Sequence, residues 1–158
     1  MKPYKKGVPD MKYFKYFVGS FVIIIAIVTI AILINPNSTY NTESYENFVA
    51  ELESSGFKIK QEDVDKDILA GQRKWLTVDD NENISVYIYK NNKTMEKDAS
   101  YVSPDGFSYK TGFKNVSISW ISKPHFFKRD NIIVLYVGED KDIINHLENL
   151  LGKQFAGA

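Results

Sequence analysis

Two histidines and no cysteine set the chemical range of this 158-residue chain. Without thiols there can be no disulfide, no thiolate metal site, no cysteine nucleophile and no lipidated cysteine. His125 falls in Trp120-Ile-Ser-Lys-Pro-His-Phe-Phe-Lys-Arg-Asp-Asn131, which reads as a turn or loop between two apolar strands. In such a loop Pro124 would stiffen the backbone, the aromatic rings would offer stacking surface, and Lys123, Lys128 and Arg129 could pair with an anion. Trp120, Pro124, His125, Phe126, Phe127 and Lys128 are therefore the expected ligand- or partner-binding residues. The plainer reading is a hairpin with Phe126 or Phe127 under the sheet edge and His125 exposed. His146 points off the apolar face of a helix pattern and reads as a solvated residue.

Other constellations are weaker. Glu62, Asp63, Asp65 and Asp67 are spaced like the start of an oxygen-rich calcium loop. Counted from Asp63, however, Ile68 stands at the sixth position, where glycine is required, and Lys74 at the twelfth, where a bidentate glutamate belongs. A solvated acidic turn is the better reading. Ser103-Pro-Asp-Gly106 and Ser119 lack the surroundings of a nucleophilic serine, and the glycines form no phosphate-cradling loop. The Asn-x-Ser/Thr tripeptides at Asn37, Asn83, Asn92 and Asn115 matter only in a glycosylating host. No catalytic residue, metal ligand or cofactor is expected.

The elements that would position these residues follow from periodicity. A helix from Ser44 to Gly56 puts Tyr45, Phe48, Val49 and Leu52 on one face. Strand patterns follow at 57–60, 75–78 and 84–89, with Asp79 to Glu82 as a hairpin turn, and then a helix pattern runs through Met95, Ala99 and Val102. Further strands at 107–109, 116–120 and 132–136 precede a helix from Asp140, whose apolar face is Ile143, Ile144, Leu147, Leu150 and Leu151. Val86-Tyr-Ile-Tyr89 and Ile133-Val-Leu-Tyr136 both lead into helices, which suggests an internal pseudo-repeat of strand-strand-strand-helix halves. The expected fold is α+β in two layers: an antiparallel sheet of about five to six strands with helices on one face and a polar opposite face.

Upstream, Phe17 to Ile34 is an uninterrupted apolar run of eighteen residues. As a helix it would span ~27 Å, enough to cross a bilayer. Lys2, Lys5, Lys6, Lys12 and Lys15 precede it, so positive-inside bias puts the tail in the cytoplasm and the rest outside. Cleavage after Thr29-Ile30-Ala31 is disfavoured because Ile32-Leu33-Ile34 continues the run. The expected organisation is a cytoplasmic tail 1–16, a transmembrane helix 17–34, a linker 35–42 and an extracytoplasmic domain 43–158. The zero net charge averages five Lys against one Asp in residues 1–34 with fifteen basic against nineteen acidic residues beyond them. An acidic exterior domain repels phosphate backbones, so no nucleic-acid partner is expected.

Val86-Tyr-Ile-Tyr89, Ser103-Pro-Asp-Gly106, Trp120 with Pro124-His125-Phe126, Ile133-Val-Leu-Tyr-Val-Gly138 and Gly152-Lys-Gln-Phe-Ala-Gly157 carry a resemblance. From about Ser44 to Gly157 the chain resembles a family of small extracytoplasmic proteins of low-GC Gram-positive bacteria, some lipid-anchored and some held by an N-terminal helix. The resemblance implies location and domain type and transfers no catalytic residue.

Three functions remain in competition. The first is a membrane-tethered binding module held in the lipid by residues 17–34, whose partner would be an envelope protein, a peptide or a cell-wall component. The second is an envelope hydrolase using His125 and a carboxylate. The third is an accessory subunit whose helix packs through Gly19-Ser20 in a membrane complex.

Overall fold

A computed structural model describes residues 40–157. The basic tail, the apolar run 17–34 and the linker up to residue 39 lie outside the described residues. Among the described residues no helix is long and apolar enough to cross a membrane.

The chain opens with α1 (Glu43–Ser54), one residue earlier than the Ser44 start read from the sequence. Asn41 Oδ1 accepts from the Glu43 N–H at 3.1 Å, and Gly56, at φ +98°, terminates the helix as expected. Three strands follow: β1 (Ile59–Asp63), β2 (Gln72–Val78) and β3 (Glu82–Ile88). The β2–β3 hairpin turns through Asp79 and Asp80, at φ +49° and +63°; acidic residues with short side chains tolerate this left-handed backbone. Next come α2 (Asn92–Ala99), β4 (Ser108–Lys110) and β5 (Asn115–Ser117). The chain then forms β6 (Pro124–Arg129), β7 (Ile132–Val137), α3 (Lys141–Leu151) and β8 (Ala156–Gly157).

Six strands form one antiparallel sheet in the order β1-β2-β3-β7-β6-β8, and β4 pairs with β5 separately. The fold is α+β with a six-stranded antiparallel sheet, as read from the sequence. The two-layer arrangement is not found, because both faces of the sheet are covered. On the first face Leu76, Val78, Ile84, Val86, Ile88, Val134 and Tyr136 meet α1 and α3 through Phe48, Leu52, Ile143 and Leu147. On the second, Tyr87, Tyr89, Phe126, Ile133 and Leu135 meet α2 through Met95 and Ala99, and also Leu69 and Tyr109. The letters of β3 and β7 explain this. Val86–Ile88 of β3 and all of β7 are apolar runs rather than alternations, and a run with no polar side needs two covers.

Because successive side chains of a strand face opposite sides, the pseudo-repeat is not kept. Val86 and its match Ile133 lie in different core clusters, as do Ile88 and Leu135. The helices that follow also cover opposite faces, so the resemblance between the two stretches is one of composition.

A buried carboxylate fastens the second cover. Asp98 is 5 % exposed, and its oxygens accept from the hydroxyls of Tyr89 (2.6 Å) and Tyr109 (2.5 Å) and from the Ala70 N–H (2.8 Å). These bonds join α2, the residue after β3, β4 and the loop 64–71. Gly71 completes the fit: a Cβ there would meet Tyr87 Cβ and Tyr89 Cζ at 3.0 Å each. Asp98→Ala leaves two buried hydroxyls and an N–H without an acceptor, and we expect it to destabilise the chain by about 3 kcal/mol or more in urea unfolding. A loss within ~0.5 kcal/mol, the scatter of ordinary surface changes, would refute this role.

Burial also governs the tyrosines. It pushes Tyr45 and Tyr136 up to about 12 from an ordinary 10.0, and Tyr87, Tyr89 and Tyr109 higher still, aided by the carboxylates of Asp67 and Asp98. Because the folded values are raised, this stability is complete below pH 10 and is lost as pH rises through the folded values. In an alkaline titration followed by tyrosinate absorbance, these five tyrosines should ionise well above pH 10, after the exposed ones. Ionisation of all ten tyrosines near pH 10 with the fold intact would contradict it.

Candidate functional site

The stretch expected to be a ligand loop is strand β6, and its alternation divides the six candidate residues between faces. His125 and Phe127 side with the first core and Pro124 and Phe126 with the second, all of them buried. His125 is 5 % exposed and stacks on Tyr136, with ring centroids 6.0 Å apart. Its Nδ1 lies 2.7 Å from Gln154 Oε1 and its Nε2 3.1 Å from the Gly138 carbonyl. Both ring nitrogens are engaged, and neither of these partners is a carboxylate. Lys128 is ion-paired with Glu96 and stands over the Phe155 ring. Of the six, Trp120 alone lines a cleft with substantial aromatic and polar walls. Pro124 and the charged end Lys128-Arg129 give this strand the composition of a loop. In the sheet, Pro124 occupies the first position of the strand, where proline is tolerated.

The stretches around Pro104, Trp120, Pro124 and Gly157 converge, in a structural role. Ala156 and Gly157 of β8 pair with Phe126 and His125. The Phe155 N–H donates to the Phe126 carbonyl, and that of Gly157 to Pro104, each at 2.9 Å. Gly157 sits at φ +112°, and a Cβ there would come 2.0 Å from the Pro124 carbonyl oxygen. Gln154 meets His125, and Trp120 Nε1 donates to the Gly106 carbonyl at 2.9 Å. The motif-like Gln154-Phe-Ala-Gly157 is thus the edge strand and its lock. His146, expected in solvent, is half-buried edge-on against Phe57, with centroids 4.9 Å apart.

The cleft that Trp120 borders lies on the second face, beyond the part covered by α2. It has a volume of about 420 Å³, within the range of small-ligand sites. Arg73 and Trp75 of β2, Asn83 and Ser85 of β3, and Leu135 and Val137 of β7 form its floor, with Ser119-Trp120-Ile121 as a wall. Asp67, Asn81 and Glu82 complete the lining. The chain's two tryptophans therefore share one cleft.

Each polar group of the floor is held in place. Arg73 donates from Nε and Nη2 to Ser85 Oγ at 3.2 and 3.1 Å, and Nη1 lies 3.2 Å from Asp67 Oδ2. Its guanidinium lies over the Trp75 ring, 5.0 Å from the centroid. Asp67 also accepts from the Tyr87 hydroxyl at 3.0 Å, so it is a structural partner and not the solvated turn residue expected. Trp75 Nε1 donates to Asn83 Oδ1 at 3.0 Å, and Trp120 packs edge-on against Phe126 at 6.1 Å. Both indole N–H groups are satisfied within the protein, which fixes the rings before any ligand arrives. Beside them Ile121 is 99 % exposed. Trp75 was legible only as a strand residue, because nothing in its neighbourhood says that Trp120 will face it from forty-five residues away.

Among the described residues no cluster of histidine and acidic side chains is arranged to hold a metal ion. His125→Ala removes a buried ring and leaves the Gly138 carbonyl unpaired; we expect a loss of about 2 kcal/mol in urea unfolding with tryptophan emission unchanged. Unaltered stability would show that the ring is not part of the core. Comparison with family models, with curated proteins and with solved structures found no match to the chain.

Proposed function

We propose that this chain is a membrane-tethered extracytoplasmic binding module whose ligand sits in the cleft between the second face of the sheet and Ser119-Trp120-Ile121. The observation that carries the reading is the pair of tryptophans in one open cleft, with their N–H groups spent on the protein and an exposed isoleucine beside them. A core would bury such rings, whereas a binding surface keeps rigid aromatic anchors ready. The tether rests on the apolar run 17–34 and the lysines before it. A hydrolase built on His125 has less support, because that ring is buried and its nitrogens are occupied.

The absence of cysteine from the chain supplies a direct test. With Ile121→Cys, a membrane-impermeant maleimide added to intact cells should label the chain, and labelling should be slower there than on the purified full chain because ligand occupies the cleft. Lys6→Cys should be labelled only after permeabilisation. Labelling of position 6 and not 121 in intact cells would reverse the topology, and equal rates at 121 in cells and in purified chain would count against an occupied cleft.

A further inference from the structure

We infer that the ligand of the tryptophan cleft is a neutral saccharide, recognised by ring stacking and by hydrogen bonds to its hydroxyls; this rests on the cleft being the binding seat. Of the charged residues at the lining, Asp67, Arg73 and Glu82, Glu82 turns its carboxylate to the Tyr136 hydroxyl on the first face, and the one cation is already paired with Asp67 at 3.2 Å. A phosphate or carboxylate ligand would lose its hydration to a lining whose one cation is already neutralised, which is a net cost. Nucleotides, phosphorylated headgroups and acidic peptides fit poorly for that reason.

Backbone geometry speaks next against an extended peptide. The floor belongs to β2, β3 and β7, and each of these has a hydrogen-bonded neighbour on both sides. A peptide therefore has no free sheet edge to extend here, and would lose the main-chain bonds that give strand addition its affinity.

The side chains present suit a polyhydroxylated ring. Such a ring is apolar on its C–H face and carries donors and acceptors around its rim. The cleft offers indole surface at Trp75 and Trp120, apolar surface at Leu135, Val137 and Ile121, and polar groups of both kinds at Asn81, Asn83 and Ser119. Asn83 Oδ1 already accepts from Trp75 Nε1 and from Thr77 Oγ1 at 3.2 Å, so its amide nitrogen is the end left to donate. The indole N–H groups are tied to Asn83 and Gly106, so the tryptophans serve as stacking surface and hydrogen bonding falls to the groups around them.

Because both tryptophans line the cleft, their emission reports on it without a label. The full chain, in a polyoxyethylene detergent that carries no sugar, is titrated with triacetylchitotriose, cellotriose, a neutral capped trialanine peptide and inorganic phosphate, using excitation that spares tyrosine. We expect saturable emission changes with one or both saccharides and none with peptide or phosphate; the acetylated and plain glucose oligomers separate amide recognition from hydroxyl recognition. Trp120→Ala should weaken saccharide binding by about tenfold or more. Ile121→Asp, at a position too exposed to disturb the core, should weaken it as well. If only the peptide or only phosphate gives a saturable change, the saccharide assignment is overturned and the seat stands. If no probe gives a change and acrylamide fails to quench either tryptophan, the cleft is closed and both readings fall. If no probe gives a change but acrylamide quenches, the saccharide assignment alone is overturned.

Discussion

A carboxylate among aromatic rings is tolerable only where donors replace the water it has lost, and Asp98 meets that condition with two tyrosine hydroxyls and a backbone N–H. What it holds is the second cover of a sheet that is apolar on both sides. Neither α2 nor the β4–β5 pair brings much apolar surface of its own: α2 buries little beyond Met95 and Ala99, and β4 buries Tyr109 alone. A polar clasp at their meeting point fixes a cover that hydrophobic area would hold loosely. It also fixes the loop 64–71, and with it Asp67, the partner of Arg73.

That cover is partial. It closes over Tyr87, Tyr89 and Ile133, and stops short of the ends of β2, β3 and β7 where Trp75, Asn83 and Val137 project. The cleft is the uncovered remainder. Its polar floor is consistent with that history, because Ser85, Arg73 and Asn83 replace the apolar residues that a second helix would have required. Rigidity comes from below, since the strands of the floor are interior to the sheet and the guanidinium is bound by Ser85, Asp67 and Trp75 together. A site on paired strands keeps its geometry better than one on loops.

Local elements were legible in the sequence where one physical signal dominated. The apolar face of α3 and the Asp79-Asp80 turn follow from periodicity and turn chemistry. Strand β6 did not, because its charged residues find partners supplied from far away: Glu96 for Lys128, and Glu51 with the Leu150 carbonyl for Arg129. Strand β8 is two residues long and has no periodicity to read. The second cover was hidden because its decisive bonds join Asp98 to Ala70, twenty-eight residues earlier. The cleft was half legible. Trp120 was singled out for its ring, but in the company of His125 and Phe127, which the strand turns to the opposite face.

The central claim is that the two tryptophan rings are open to solvent on one side while their N–H groups are bound inside. Indole resonances of the full chain, recorded with and without a soluble paramagnetic agent, test both halves at once. The account predicts two dispersed indole N–H signals that exchange slowly with water, and ring protons of Trp75 and Trp120 that broaden strongly. Fast-exchanging N–H groups, or ring protons that the agent leaves sharp, would contradict it.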